Sequence, residues 1–294
     1  MKPATFAYSA PATEADALGL LADLGRDGTV LAGGQSLIPL LNMRLARPAH
    51  LVDINGIAEL DVLDTGPDGV RVGAGVRHAR LERDAAALTV CPLLADAMPL
   101  VAHPVIRNRG TVCGSIAHGD PAGELTAVLA LLGGSVRLAR AETAGTRRRD
   151  LPTAEFFVAP LETAKQTGEL VESVWFPAVA ADTGTAFQEA SRRHGDYALC
   201  GVGATVTVDA DGRVTDASAA YLSVAPAPLV VDLGEALAGQ HADALDTAAA
   251  ARLGSERVDP ETDIHATAAY RRHLAGVLTE RALRRAAQRA RERR

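Results

Sequence analysis

Thr29-Val30-Leu31-Ala32-Gly33-Gly34-Gln35-Ser36 is a short apolar strand, Thr29 to Ala32, running straight into two glycines, an amide and a hydroxyl. Paired glycines let the backbone approach a ligand closely, and successive N–H groups in such a turn form a nest for an anion. Ser36 adds a hydroxyl donor. An ordinary Gly-rich turn between a strand and a helix carries the same letters. No Lys-Ser/Thr pair follows, so the segment is not a P-loop. Upstream, Pro11 to Gly25 has a helical period, with Thr13 and Asp16 in capping-box spacing and Ala17, Leu20, Leu21 and Leu24 on one face. Gly25 and Gly28 stop that helix. Downstream, Leu37 to Leu45 reads as a mostly apolar turn of chain that ends before Pro48, and His50 to Ile54 as a second strand. Residues 1–57 therefore form a small βαβ-like unit.

A second unit follows. Val70 to Val72 leads into Gly73-Ala74-Gly75, with a helix beginning near His78. The run Gly73-Ala74-Gly75-Val76-Arg77-His78 starts like a dinucleotide fingerprint, but His78 stands where the third glycine lets helix and strand pack closely, so it reads as a strand-end turn. Leu93 to Ala102 is helical and stops at His103-Pro104. Asn108 to Glu124 is dense in Gly, Ser, Asp and Pro and has little period of either kind. Leu125 to Leu132 is a helix closed by Gly133-Gly134, Val136 to Leu138 a strand, and Ala141 to Arg149 a polar loop. The composition shifts around Pro177 to Gly184, a domain boundary. Beyond it, Ala186 to Arg192, Ala204 to Val208 and Ala217 to Val224 read as strands, with Asp211-Gly212 as a hairpin turn. Leu233 to Ala238, Asp243 to Leu253 and Ala266 to about Arg291 are helical.

The aperiodic stretch concentrates chemistry. Arg109-Gly110-Thr111-Val112-Cys113-Gly114-Ser115 and His118-Gly119-Asp120-Pro121-Ala122-Gly123-Glu124 bring hydroxyls, bare backbone and two carboxylates together. A carboxylate suits ribityl or ribose hydroxyls, and a Gly-Ser backbone suits phosphate. Asp120 and Glu124 around Pro121 also favour a capped helix start. Arg192-Arg193-His194-Gly195-Asp196-Tyr197-Ala198 sets a tyrosine in a polar turn, where it stacks on a planar ligand or anchors a domain edge. The basic Arg281 to Arg294 reads as a solvated helix end complementing the dipole.

Composition narrows the classes. The 294 residues are 48% hydrophobic and 22% charged with a net charge of −6, which is globular and too acidic for a general nucleic-acid binder. No run approaches the ~18 apolar residues of a membrane span. The start lacks the apolar core of a secretory signal. Cys91, Cys113 and Cys200 lie far apart without metal-ligand spacing, too few for an iron–sulfur cluster, which points to a reduced cytoplasmic protein with no metal ligands or clusters of its own. Aromatics are only 3% against 27 glycines, so a ligand site here is built from backbone and small side chains. Nucleophile elbow, HExxH and hydrolytic carboxylate pair are all missing, leaving no catalytic residue to assign and the chemistry to a cofactor.

Ala32-Gly33-Gly34-Gln35-Ser36-Leu37-Ile38-Pro39, then Ile106-Arg107-Asn108-Arg109-Gly110-Thr111-Val112-Cys113-Gly114-Ser115 with Asp120-Pro121, resemble the FAD-binding medium subunit of the molybdenum hydroxylases, the xanthine dehydrogenase and carbon monoxide dehydrogenase family. Gly195-Asp196-Tyr197-Ala198 and Tyr270-Arg271-Arg272-His273-Leu274-Ala275-Gly276-Val277-Leu278 extend the resemblance to nearly the whole chain. It implies an α+β fold: an FAD-binding domain of the vanillyl-alcohol-oxidase (PCMH) type over 1–177, in two α+β subdomains of about 1–57 and 58–177. A C-terminal domain of a small antiparallel sheet and helices follows over 178–294. By position, Ala32, Gly33, Gly34, Gln35 and Ser36, with Thr111, Val112, Cys113, Gly114 and Ser115, hold the FAD pyrophosphate. Asp120 and Glu124 bind the ribityl or ribose side, and Tyr197 lies against the isoalloxazine. Cys113 stands where the family usually has Gly, at a cost of about 1 kcal/mol if φ there is positive.

The same resemblance implies an electron-transfer role. Substrate is hydroxylated at molybdopterin on a large subunit, and electrons pass through [2Fe-2S] clusters of a small subunit to FAD on this chain and on to NAD, a quinone or another acceptor. The expected assembly is a heterotrimer or its dimer, without nucleic acid or a membrane span. A self-sufficient FAD-dependent oxidase and a non-catalytic nucleotide-binding module are the alternatives.

Overall fold

The first helix forms where its period places it. In the computed structural model, which describes residues 2–293, strand β1 (Ala7–Ser9) precedes helix α1 (Glu14–Leu24). Thr13 caps α1 by accepting from the Asp16 N–H at 3.1 Å, and Glu14 and Asp16 place negative charge in the first turn. Strand β2 (Gly28–Leu31), helix α2 (Leu37–Asn42) and strand β3 (His50–Asp53) follow, and the three strands form a parallel sheet in the order β1-β3-β2. The stretch from Leu37, expected as a mostly apolar turn of chain, is helical over six residues. Only Leu41 in it is buried, so no amphipathic period advertises the helix.

The second unit is a five-stranded antiparallel sheet with helices against it. Strands β4 (Leu63–Gly66) and β5 (Gly69–Gly73) lead to helices α3 (His78–Leu81), α4 (Ala85–Val90), α5 (Pro92–Ala97), α6 (Pro104–Arg107), α7 (Val112–His118) and α8 (Glu124–Leu131). Strands β6 (Ser135–Glu142) and β7 (Gly145–Pro152), helix α9 (Thr153–Phe156), a small β8 (Phe157–Ala159) and β9 (Glu162–Thr163) ribbon, and β10 (Leu170–Pro177) complete it. The strand order is β4-β5-β10-β6-β7. Two sequence expectations are corrected here. Ala141 to Arg149, expected as a polar loop, lies within a regular hairpin paired from Ser135↔Pro152 to Glu142↔Gly145. Its arginines hid it: β7 is an edge strand, and charged side chains are how edges are kept from pairing further. They are matched by carboxylates, Arg137 with Asp150, Arg148 with Glu172 and Arg149 with Glu169, each at 2.7–2.8 Å. The aperiodic Asn108 to Glu124 contains α7, whose seven residues are too few to show a period. Thr111 caps it by accepting from Gly114 N at 3.1 Å, and Gly119 ends it with φ of 63°.

The C-terminal domain is an antiparallel meander of β11 (Thr183–Ala190), β12 (Cys200–Val208), β13 (Val214–Leu222) and β14 (Leu229–Asp232), followed by α10 (Gly234–Leu237), α11 (Ala248–Arg257) and α12 (Ala268–Glu292). Gly212, with φ of 76°, turns β12 into β13 as expected. The buried stripe of α12, Ala275, Leu278, Ala282, Leu283, Ala286 and Ala290, packs on one face of this sheet. The other face gives Phe187, Ala220 and Leu222 to the core of the first domain. The end of α12 is more than a solvated dipole complement. Arg289 pairs with Asp96 on α5 and donates to Thr185 O at 2.7 Å, tying helix, sheet and first domain together.

Candidate functional site

The two glycine segments meet. A Cβ placed on Gly33 would lie 2.6 Å from the Cα of Gly110 and closer still to the carbonyl oxygen of Arg109, so the loops touch backbone to backbone. Gly34 has φ of 73°, which glycine adopts without strain. Arg77 clamps the pair. Its guanidinium donates to Arg109 O on the second loop and, at 2.6 Å, to Asn55 Oδ1, while Asn55 Nδ2 donates to Ala32 O on the first loop at 2.8 Å.

These loops form one side of a cleft of about 800 Å3, within the size usual for a cofactor site. Ala32, Gly33, Gly34, Gln35, Ser36, Thr111, Gly114, Ser115, Asp120, Glu124 and Tyr197 all line it. Gln35 turns back on its own loop, Nε2 donating to Gly33 O at 3.0 Å. Asp120 Oδ1 accepts from Ala122 N at 2.9 Å, shaping the turn into α8. Burial pushes the Glu124 carboxyl up to about 7, with the Asp120 charge adding to it and Arg107 opposing.

Val112 and Cys113 do not line the cleft. Both are buried in the core, the Val112 N–H is spent on Val76 O at 3.1 Å, and Cys113 Sγ donates to Val72 O at 3.2 Å. Cys113 is an ordinary helical residue without positive φ, so a side chain at this position carries no backbone strain. All three thiols are buried, and desolvation drives each well above its usual range, Cys91 and Cys200 to about 12.

Tyr197 comes from the other domain. The residue is 72% exposed, on the loop between β11 and β12. Gly195, with φ of 84°, seats that loop on His103 of the first domain, where a Cβ would be 2.5 Å from His103 Nδ1. Buried Arg271 holds the loop's far end by donating to Leu199 O at 2.7 Å.

Several lining residues escaped the sequence reading. Ala102 has φ of 46°, a strained value for alanine, and buried Arg107 fixes it by donating to Ala102 O at 3.1 Å while pairing with Glu82 at 2.8 Å. Arg26 and Lys165 bring positive charge to the cleft, and Lys165 Nζ donates to Glu169 O at 3.5 Å. His78 lies inside the wall, Nε2 3.0 Å from Ser115 Oγ. Its signal was present in the sequence: a histidine where a fingerprint helix needs glycine.

The sequence family described as the FAD binding domain in molybdopterin dehydrogenase matches residues 4–179, and the CO dehydrogenase flavoprotein C-terminal domain matches 185–286. The chain belongs to the FAD-binding medium subunits of the molybdenum hydroxylases. As a medium subunit it is 38% identical over 292 residues to the 6-hydroxypseudooxynicotine dehydrogenase complex subunit alpha of Paenarthrobacter nicotinovorans, covering 99% of this chain and 97% of that one. It is 35% identical to the carbon monoxide dehydrogenase medium chain of Afipia carboxidovorans, covering 99% of each. The crystal structure of quinoline 2-oxidoreductase from Pseudomonas putida 86 superposes with a TM-score of 0.90 at 34% identity over 99% of each chain. The medium subunit is thus an oxidoreductase subunit whose first domain is built to bind FAD. Among the described residues no helix is long and apolar enough to cross a membrane.

Proposed function

We propose that this chain is the FAD-carrying electron-transfer subunit of a multi-subunit, molybdopterin-dependent hydroxylase or dehydrogenase. The observation that supports it best is the cleft: two bare-backbone loops seated on each other, carboxyls beside them, and an exposed tyrosine brought in from the second domain. These residues fit FAD. A side chain at Gly33 would break the contact between the loops, and Gly114 and Ser115 leave backbone and a hydroxyl facing the cleft. Ala32 to Ser36 with Thr111, Gly114 and Ser115 hold the pyrophosphate, Val112 and Cys113 supporting the turn from the core. Asp120 and Glu124 receive ribityl or ribose hydroxyls, and Tyr197 lies against the flavin ring. When bound, FAD supplies reversible electron transfer; the chain binds it, orients it and shields one face.

The partners in this reading are a large molybdopterin subunit and a small [2Fe-2S] subunit, in a heterotrimer or its dimer in the cytoplasm, with domain limits at 1–177 and 178–294. Electrons reach this chain from the small subunit and leave to an external acceptor. Relatives named for a nicotine derivative, caffeine and carbon monoxide are similar to this chain to nearly the same degree, 35–38%. That uniformity supports a medium subunit indifferent to the substrate, which the large subunit selects.

The test is the visible spectrum of the purified chain with and without added FAD. Flavin bands are expected, and their loss in Gly114→Asp, whose Cβ would stand 2.6 Å from the Thr111 hydroxyl that caps α7 and whose carboxylate adds negative charge on the pyrophosphate side of the cleft. A folded protein that neither holds nor takes up FAD refutes the reading. Affinity purification from the native cell is expected to bring a large and a small partner; turnover by the lone chain would favour a self-sufficient oxidase.

A further inference from the structure

His78 opens α3 with its backbone N–H donating to Gly110 O at 2.9 Å, and its imidazole is 3% exposed. One ring nitrogen, Nε2, lies 3.0 Å from Ser115 Oγ. The other, Nδ1, is sealed from solvent and has no hydrogen-bond partner among the described residues. It faces the bare Cα of Gly110, where an added Cβ would stand only 2.8 Å away. Burial, with Arg107 contributing, pulls the imidazole down to about 4, so near neutral pH the ring is uncharged and holds one proton for two nitrogens.

The surroundings decide which nitrogen holds it. An N–H at Nδ1 would be a buried donor aimed at a C–H group, whereas a lone pair there leaves only an acceptor unfilled; orphaned buried donors are the rarer and costlier of the two. The proton therefore sits on Nε2, which donates to Ser115 Oγ. A hydroxyl that accepts from a neighbour keeps its own hydrogen for another partner. Ser115 lines the cleft, so that hydrogen is free to point into it. The opposite tautomer would draw the hydroxyl hydrogen to Nε2 and leave lone pairs facing the cleft, which would repel an anion.

We propose that His78 is a positioning residue that fixes the polarity of Ser115, holding its hydroxyl as a donor to a phosphate oxygen of the bound dinucleotide. The proposal rests on the FAD reading for the identity of the anion, and on the His78–Ser115–Gly110 geometry for the polarity. It also gives Gly110 a second duty, because any side chain there would displace the imidazole.

The experiment combines tautomer and affinity measurements on the full chain. In wild-type protein with 15N-labelled histidine, the nitrogen shifts of His78 are expected to show Nε2 protonated; protonation at Nδ1 overturns the proposal whatever the variants do. FAD titration of the cofactor-stripped chain is then compared across His78→Gln, His78→Leu, Ser115→Ala and the Leu/Ala double variant, each checked by circular dichroism. A hydrogen bond to a charged group corresponds to roughly tenfold or more in affinity. His78→Leu and Ser115→Ala are expected to lose about that factor, and the double variant no more than either. His78→Gln, whose amide N–H reaches toward the same oxygen, is expected to stay within about threefold of wild type. A folded His78→Leu with wild-type affinity, or a His78→Gln no better than it, overturns the proposal and leaves the FAD reading standing. Wild-type protein that takes up no FAD overturns the FAD reading itself, and the assigned anion with it.

Discussion

Replacing Gly33 by alanine adds one methyl group where two backbones already touch. The new Cβ would stand 2.6 Å from Gly110 Cα, while carbon atoms rest at about 3.5 Å or more, so the loops must part by about 1 Å. Overpacking a tight contact costs roughly 1–3 kcal/mol, which for a chain of this size lowers Tm by about 2–8 °C. The same displacement opens the Arg77 clamp and separates the groups assigned to the pyrophosphate, with an expected loss of FAD affinity of about tenfold or more. Gly19 supplies the matched control. It lies within α1 with nothing within 4 Å of its added Cβ, and alanine inside a helix is favoured over glycine by roughly 0.5–1 kcal/mol. Gly19→Ala should therefore raise Tm by about 1–3 °C and leave FAD binding unchanged. Both Tm values come from thermal melts of the stripped chain, and affinities from flavin fluorescence titration. A Gly33→Ala protein with wild-type Tm and wild-type affinity would refute the backbone-contact argument, as would shifts of the same sign in both variants.

Three further outcomes are expected. Glu189 Oε2 is sealed without a hydrogen-bond partner among the described residues, and burial, reinforced by the Glu124 charge, raises its carboxyl to about 8; the folded chain thus keeps a proton that the unfolded chain releases near the ordinary carboxyl value of 4.5. Stability from this group is full below that value and is lost as pH rises through about 8, so Tm should fall between pH 5 and 8, and Glu189→Gln should flatten the fall; an unchanged slope contradicts the assignment. Asp96→Asn unpairs the half-buried Arg289 that joins α12 to α5 and should cost roughly 1–3 kcal/mol, read as a lower urea midpoint at unchanged slope. Tyr197→Ala should weaken FAD binding about 2- to 10-fold by removing an aromatic contact and brighten the fluorescence of bound flavin, whereas Tyr197→Phe should do neither; equal behaviour of the two variants would contradict stacking.

What the sequence disclosed followed from local chemistry. Thr13 and Asp16 located α1, Asp211-Gly212 located the β12–β13 turn, and Gly33-Gly34 with Gly114-Ser115 located two sides of the cleft, because caps, turns and bare backbone are signals within a few residues. What it concealed depended on distant partners. Arg148 and Arg149 of β7 read as loop because carboxylates that match them, Glu172 and Glu169, lie 20 or more residues away on the far side of β9. Arg77 and Asn55 carried no signal of their own, since the clamp exists only once the loops at Ala32 and Arg109 are brought together. His78 was visible as an exception to a motif, but its purpose needed the burial of Nδ1 against Gly110.

Scarce aromatics and abundant glycine first suggested a site made from backbone, and the structure divides that glycine between two duties. At Gly33 and Gly110 the missing side chains let segments touch beside the cleft, and at Gly34 the backbone takes a positive φ. At Gly184 and Gly254 the missing side chain serves packing alone. A Cβ on Gly184 would stand 2.9 Å from Ala290 Cα of α12, and one on Gly254 would stand 3.0 Å from the ring of Tyr221, whose hydroxyl is 2.8 Å from Thr279 Oγ1 in the buried core. The alanine stripe of α12 belongs with the second group, since small residues on both surfaces let helix and sheet approach closely. A chain with few aromatics gains its buried area by such close approach, and its C-terminal domain is correspondingly intolerant of added methyl groups. That domain in turn positions Gly195 on His103 and carries Tyr197 to the edge of the cleft. Close small-residue packing thus builds the second domain, while Gly195 on His103 and Arg271 on Leu199 O set the place of the tyrosine it brings to the cleft.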